Sequence, residues 1–363
     1  AQLTMPRAKA GGSVELEYET FGNPKDPCVV FITGLGAQLL HCPENSFIAP
    51  LVEHGFYVVR YDNRDAGLST FQTQFPCPNV VRFAIRRLLL DKILPALRLL
   101  ILASTALSCV WSRPSSLADF LRTRFFSLTV LAAQVVSLDR RLVAAVLKKE
   151  VVGYSLMDMA NDTISLLDHL RVEKAHIIGA SMGGMLTQLV GIHYPERVLS
   201  LCSIMSNSGS KAAHLQASTF YQFKIFLRPV PDPADEQACI AHTQETNTLL
   251  GLPGQSYNLT GSFADAAAKL YARNPDRSGV PRQLMAIATA PARDESLKRL
   301  KPKLLILHGA EDKLVPPSNG VHLHSIVPNS RLVVIPNMGH SLPDEAMDHI
   351  HAALIPHLKE TSP

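Results

Sequence analysis

The sequence predicts an α/β protein, a mainly parallel sheet flanked by helices, and three features carry that prediction. Short β-rich runs alternate with segments of helical period. Residues 28–32 (Cys-Val-Val-Phe-Ile) form a continuous apolar run, the pattern of a strand buried on both faces. The strand candidates lie toward both ends of the chain, so one sheet is assembled across a long middle section. With 363 residues, 47% of them hydrophobic, the chain is long enough to bury a full core.

Along the chain, residues 57–61, 175–178, 199–204, 304–307 and 331–335 are further strand candidates. Residues 156–170 place Met159, Ile164, Leu167 and Leu170 at helical spacing, and 185–193 reads as a helix ended by Pro195. Two segments break the rhythm. Residues 75–150 contain two uncharged runs of 14 residues, 99–112 and 125–138, each bounded by charged side chains. A bilayer span needs about 20 apolar residues, and shorter runs suit core or interfacial helices. Residues 207–300 are helix-rich and broken by Pro229, Pro231, Pro233, Pro253 and Pro281, which suggests a helical cap over the sheet. No internal repeat or low-complexity tract stands out.

The formal net charge of +4 does not point to nucleic acid as a partner. Its distribution is uneven, because residues 75–150 hold twelve Lys and Arg against four Asp and Glu. This basic, apolar stretch reads either as an extended cap packed on the core with its charges solvated or, as the lesser reading, as an interfacial helical hairpin at a membrane surface, which includes a transmembrane hairpin. The six cysteines (Cys28, Cys42, Cys77, Cys109, Cys202, Cys239) are spread singly, as reduced thiols are. Residues 1–12 lack a basic-then-apolar secretory profile, although position 1 is not Met and a removed upstream segment stays an open alternative. The expected location is cytoplasmic, with membrane association through the insertion as the variant.

The chemistry centres on Gly179-Ala180-Ser181-Met182-Gly183, a G-x-S-x-G pattern between a strand and a helix. A turn that tight strains the serine backbone, and small neighbours let strand and helix approach, so Ser181 projects into the open. The alternative is a helix-capping serine or a phosphate-binding turn, for which Gly183-Gly184 gives some support. A serine hydroxyl is a weak nucleophile and needs a base, itself oriented by a carboxylate. The strand at 304–307 is followed by His308-Gly309-Ala310-Glu311-Asp312, and the strand at 331–335 by Pro336-Asn337-Met338-Gly339-His340. His340 is the candidate base among fourteen histidines because it follows Gly339 and the last strand; His41, His54, His193, His214, His242 and His322 are read as surface or satisfied core residues. Asp312, three residues past Gly309, is preferred to its neighbour Glu311 as the orienting acid. Two backbone donors are expected to face a developing oxyanion, Met182 N–H after the nucleophile and Leu35 N–H in the loop Thr33-Gly34-Leu35-Gly36.

These stretches, with Tyr61-Asp62-Asn63-Arg64-Asp65-Ala66-Gly67-Leu68-Ser69, resemble the serine α/β-hydrolases, in the branch that includes the aclacinomycin methylesterase-like enzymes. The resemblance covers roughly residues 13–74 and 150–355. It implies an α/β-hydrolase core from residues 13–74, 150–206 and 301–358, a cap at 207–300, and an additional helical insertion at 75–149 that the family pattern does not contain. It carries the catalytic roles to Ser181, Asp312 and His340, and the oxyanion hole to Leu35 and Met182. Many relatives have histidine where Thr33 stands. The 62–69 turn is expected to be structural, with Arg64 and Asp65 in a local ion-pair network.

The resulting expectation is a cofactor-independent serine hydrolase that cleaves a small or lipophilic carboxylic ester through an acyl-enzyme, with no metal and no nucleic acid partner. Peptidase of the proline-iminopeptidase type, lipase and carbon–carbon bond hydrolase remain alternatives on the same fold, because substrate choice lies in the cap. A non-catalytic hydrolase-fold binding protein is the alternative of another class. Serine at position 181 argues against the dehalogenase and epoxide hydrolase chemistry that an aspartate there implies.

Overall fold

The computed structural model describes residues 6–79, 153–212, 228–252 and 263–362, together with Leu215, Tyr221, Lys224 and Ile225. The chain divides into two units, residues 1–77 with 152–363, and residues 78–151. From residue 80 onward the expected insertion at 75–149 and both of its apolar runs lie outside the described residues. The first unit holds every described strand and helix.

Eight strands form one sheet among the described residues: β1 (Arg7–Lys9), β2 (Glu15–Phe21), β3 (Cys28–Ile32), β4 (Tyr57–Tyr61), β5 (Ala175–Ala180), β6 (Val198–Ile204), β7 (Leu304–Gly309) and β8 (Ser330–Ile335). Their order is β1-β2-β4-β3-β5-β6-β7-β8. The pairs β1/β2 and β2/β4 are antiparallel, and every pair from β4/β3 to β7/β8 is parallel. The run at 28–32 is β3, buried at all five positions between β4 and β5.

Side chains alternate across the strands, so each face of the sheet feeds its own core. Val30, Ile32, Ile177, Leu201 and Ile306 join one cluster with helices α2 (Leu156–His169) and α3 (Met182–His193), through Met159, Leu166 and Leu186. Val29, Phe31, Ile178, Cys202 and Leu305 join the other, with Leu51 of α1 (Ala49–Glu53) and Ile350 and Leu354 of α9 (Met347–Thr361). The start of α2 is fixed by Ser155, whose hydroxyl accepts the Asp158 N–H at 3.2 Å while the Asp158 carboxylate takes the Ser155 N–H at 2.7 Å.

Between β6 and β7 lie α4 (Glu236–Leu250), α5 (Phe263–Arg273), α6 (Val280–Thr289) and α7 (Asp294–Leu297), the helix-rich stretch expected there; α8 (Ser318–Ile326) joins β7 to β8. Pro281 does not interrupt a helix as the sequence suggested. It sits in the first turn of α6, where its missing N–H has no intrahelical partner to lose. Among the described residues no helix is long and apolar enough to cross a membrane.

Because β3, β5, β7 and β8 run parallel, the loops that leave their C-terminal ends gather at one edge of the sheet. Those loops carry residues 33–36, Ser181, Asp312 and His340.

Candidate active site

Ser181 joins β5 to α3 with φ 56° and ψ −116°, a left-handed backbone that side chains other than glycine rarely adopt. Close packing enforces the turn. A Cβ added at Gly183 would run into the Ile32 carbonyl oxygen, and one at Gly179 into Gly183 and Thr187. The hydroxyl of Ser206, two residues past the end of β6, supports the turn by donating to the Ser181 carbonyl at 2.7 Å. Helix α3 begins at Met182, three residues before the start expected from sequence, and Ser181 occupies its cap position without capping it. The side chain turns instead toward His340.

Ser181 Oγ and His340 Nε2 are 2.9 Å apart, and His340 Nδ1 and Asp312 Oδ2 are 2.7 Å apart. With the Nδ1 proton donated to the carboxylate, Nε2 is left to accept from the hydroxyl. Asp312 Oδ1 accepts backbone N–H groups from Leu314 at 2.9 Å and Val315 at 2.8 Å. Asp312, the acid preferred from the sequence, and His340 are buried, whereas Glu311 is exposed. His340 is held by its backbone as well, since its N–H donates to the Leu250 carbonyl at the end of α4 at 2.8 Å.

The loop after β3 passes beside the hydroxyl. A Cβ built at Gly34 would lie 3.3 Å from Ser181 Cβ and 3.8 Å from its Oγ. Leu35 N–H and Met182 N–H, the two expected oxyanion donors, have no hydrogen-bond partner among the described residues. Thr33, at the head of the loop, is fixed by Asn63, whose Nδ2 donates to the Thr33 carbonyl at 3.1 Å. The five residues read from sequence therefore meet at one edge of the sheet, a buried carboxylate, an imidazole and a hydroxyl in line with a glycine-bearing loop alongside. Such a line can carry a proton from the hydroxyl to the imidazole and leave the oxygen free to attack a carbonyl carbon.

The surroundings add residues that the sequence did not single out. His308, fully buried, donates from Nε2 to the Val315 carbonyl at 2.8 Å and stands 3.6 Å from Asp312 Oδ2. Burial pushes its pKa down, against the pull of the Val315 carbonyl and the Asp312 carboxylate, so the ring stays neutral beside the acid. Tyr221 reaches the Leu249 carbonyl, and its phenol pKa is raised by burial and then by the Asp312 charge. The 62–69 turn forms the expected ion pairs. Arg64 binds both oxygens of Asp162 at 2.6 Å, and Asp65 binds Arg282 at 2.7 and 2.8 Å. Among the described residues no group of three or more His, Cys, Asp or Glu side chains is placed to hold a metal ion.

Comparison with known proteins identifies the fold. A family model for the alpha/beta hydrolase fold matches residues 27–346. Rhodomycin D methylesterase of Streptomyces peucetius is 26% identical over 228 residues, covering 57% of this chain and 74% of that protein. A 2-hydroxy-6-oxo-6-phenylhexa-2,4-dienoate hydrolase of Comamonas testosteroni is 27% identical over 199 residues, covering 54% of this chain and 66% of that one. Among solved structures, the hydrolase of the same substrate name from Rhodococcus sp. strain RHA1 superimposes with a TM-score of 0.62 at 18% identity, covering 97% of each chain, a likeness of fold.

Proposed function

The chain belongs to the alpha/beta hydrolase fold family, and we propose that within it the protein is a cofactor-independent serine esterase acting on a small or lipophilic carboxylic ester. One observation carries the reading: the imidazole of His340 bridges Ser181 Oγ and Asp312 Oδ2 at 2.9 and 2.7 Å.

In the proposed reaction His340 Nε2 takes the Ser181 proton as Oγ attacks the ester carbonyl carbon. Asp312 holds the imidazole in the required tautomer and stabilises the imidazolium. The carbonyl oxygen becomes an oxyanion that the N–H groups of Leu35 and Met182 receive, an interaction worth about 3–4 kcal/mol per donor in comparable sites. Collapse of the tetrahedral species breaks the bond to the alcohol, which leaves with the proton from Nε2, and the acyl group stays on Oγ. Water then attacks the acyl-enzyme, giving its proton to Nε2, and the acid departs as Oγ is reprotonated.

The boundaries 13–74, 150–206 and 301–358 for the core, 207–300 for the cap and 75–149 for the insertion belong to the same proposal. Contact between the insertion and a membrane surface rests on its basic, apolar composition, and a cytoplasmic location on the scatter of single cysteines. Flotation with anionic liposomes, run with the full chain and with a chain lacking 75–149, tests the contact; equal behaviour removes it.

The esterase reading is tested with p-nitrophenyl esters of increasing acyl length beside an aminoacyl p-nitroanilide. Turnover of the esters, with at least a 10³-fold loss in Ser181→Ala, is the expected outcome. Turnover confined to the anilide makes the protein a peptidase, and an inert protein with an intact fold removes the reading.

A further inference from the structure

Gly36, the residue after the proposed oxyanion donor Leu35, is gripped by one short stretch of the cap, residues 277–283. The Gly36 N–H donates to Gln283 Oε1 at 2.7 Å, and the Gly36 carbonyl accepts from Arg277 Nη1 at 3.0 Å. A Cβ at Gly36, whose φ is +64°, would lie 2.7 Å from Val280 Cγ2, so the same stretch also closes over its α-carbon. Within residues 34–36 the one other backbone hydrogen bond among the described residues is a long one, from Ala37 N–H to the Gly34 carbonyl at 3.3 Å.

Gln283 is fully buried and used at both ends. Its Nε2 donates to the Arg64 carbonyl at 2.7 Å, which fixes the orientation of the amide. That anchor is rigid in turn, because Arg64 is paired with Asp162 and the neighbouring Arg282 with Asp65. The N–H of Gly36 and the C=O of Leu35 share one planar peptide unit. Gln283 holds that unit on one side of Leu35 and Asn63 holds the Thr33 carbonyl on the other, so the short turn that carries the Leu35 N–H is pinned at both ends.

We propose that Gln283 is a positioning residue for the oxyanion hole, so that helix α6 of the cap sets the aim of Leu35 N–H and takes part in the chemical step as well as in substrate selection. The inference rests on the esterase reading above. Losing the grip misaims a donor without touching the nucleophile or the base.

The test uses the full chain with Gln283→Met, which keeps the bulk and removes both hydrogen bonds, and with Arg277→Met at a partly exposed position. Substrates are a p-nitrophenyl ester and its thionoester, whose sulfur accepts hydrogen bonds more weakly than oxygen. Gln283→Met is expected to lower kcat for the oxygen ester by about 10- to 100-fold, less than the roughly 10²- to 10³-fold that removing an oxyanion donor outright costs. KM should change less than threefold, the pH profile of kcat should not move, and the preference for oxygen over sulfur should shrink. Arg277→Met should show the same signature at about 3- to 10-fold. A general packing defect lowers both substrates together or shifts the melting temperature alone. Equal loss on the two esters, or a wild-type kcat in Arg277→Met together with a Gln283→Met that is wild-type or unfolded, overturns the proposal. An inert Ser181→Ala beside a fully active Gln283→Met removes this inference alone, whereas an active Ser181→Ala removes the esterase reading on which it stands.

Discussion

Asp312 Oδ2 stands 2.7 Å from His340 Nδ1, and the other oxygen of the same carboxylate is fixed by the N–H groups of Leu314 and Val315. The carboxylate therefore cannot rotate away from the imidazole. Asp312→Asn removes the charge that holds the Nδ1 proton and favours the wrong tautomer. Ester turnover should fall by about 10⁴-fold, the scale of that exchange in triad enzymes, with KM and melting temperature nearly unchanged. Glu311→Gln, next along the chain but exposed, should leave kcat within twofold. A steady-state comparison of the two variants on one p-nitrophenyl ester checks both outcomes.

The strained turn at Ser181 depends on the closeness of α3 to β3. Gly183→Ala places a methyl group against the Ile32 carbonyl oxygen, where neither backbone can give way cheaply. Overpacking of this kind costs about 1–3 kcal/mol, and the rigid main chain on both sides puts this site at the upper end. Urea denaturation should show a loss of about 3 kcal/mol or failure to fold. A folded protein with wild-type stability contradicts the packing described here.

Arg64 and Asp162 form a two-pronged ion pair with side chains only 8% and 3% exposed. Removing one partner leaves an unpaired buried charge, so Asp162→Ala should destabilise by about 3–5 kcal/mol. Replacing both by apolar residues of similar size, Arg64→Met with Asp162→Leu, should lose much less than Asp162→Ala alone. Chemical denaturation of the two variants compares them directly.

His176 makes stability depend on pH. It is fully buried in β5, hydrogen-bonded to Ser200 and Ser362, and burial, then the charge of His357, lowers its pKa to about 3. In the unfolded chain an imidazole titrates near ~6.5. Above that value both states are neutral and this site adds no pH dependence. Below it the unfolded state binds a proton that the folded state refuses, so stability falls by about 1.4 kcal/mol per pH unit as the pH drops toward the folded pKa. His176→Gln should flatten the stability profile between about pH 6 and 4 by that one-proton slope. Parallel profiles for wild type and variant would show that the site stays charged or exposed.

Much of the sheet was legible because strands buried on both faces read as apolar runs; Cys28–Ile32 and Leu304–Gly309 are buried at every position. The first strands, β1 and β2, were missed. Glu15–Phe21 reads Glu-Leu-Glu-Tyr-Glu-Thr-Phe, an alternating pattern that a search for continuous apolar runs passes over, yet alternation is what an antiparallel strand near a sheet edge should show. The start of α3 is hidden in the sequence because Gly183 and Gly184 are poor helix formers, and tertiary packing against β3 decides their conformation.

The candidate site was legible in its reactive groups, since Ser181, Asp312 and His340 each follow a strand and lie close to a glycine. Its supports were not. Gln283 and Arg277 lie about 240 positions from the loop they hold, and nothing in a local pattern distinguishes such a glutamine from a solvated one. His308 was visible as the first residue of a motif, but its contact with the Asp312 loop depends on how that loop returns to pack over β7.

The proposed chemistry stands or falls on whether Ser181 is a nucleophile activated by His340. A fluorophosphonate probe reacts preferentially with an activated serine, and intact-mass and peptide analysis of the full chain then locates the adduct. The expected result is a single adduct on Ser181, absent in Ser181→Ala and formed at least 10²-fold more slowly in His340→Ala. An unlabelled wild-type protein with its fold intact, or an adduct on a different residue that persists in Ser181→Ala, would overturn the mechanism.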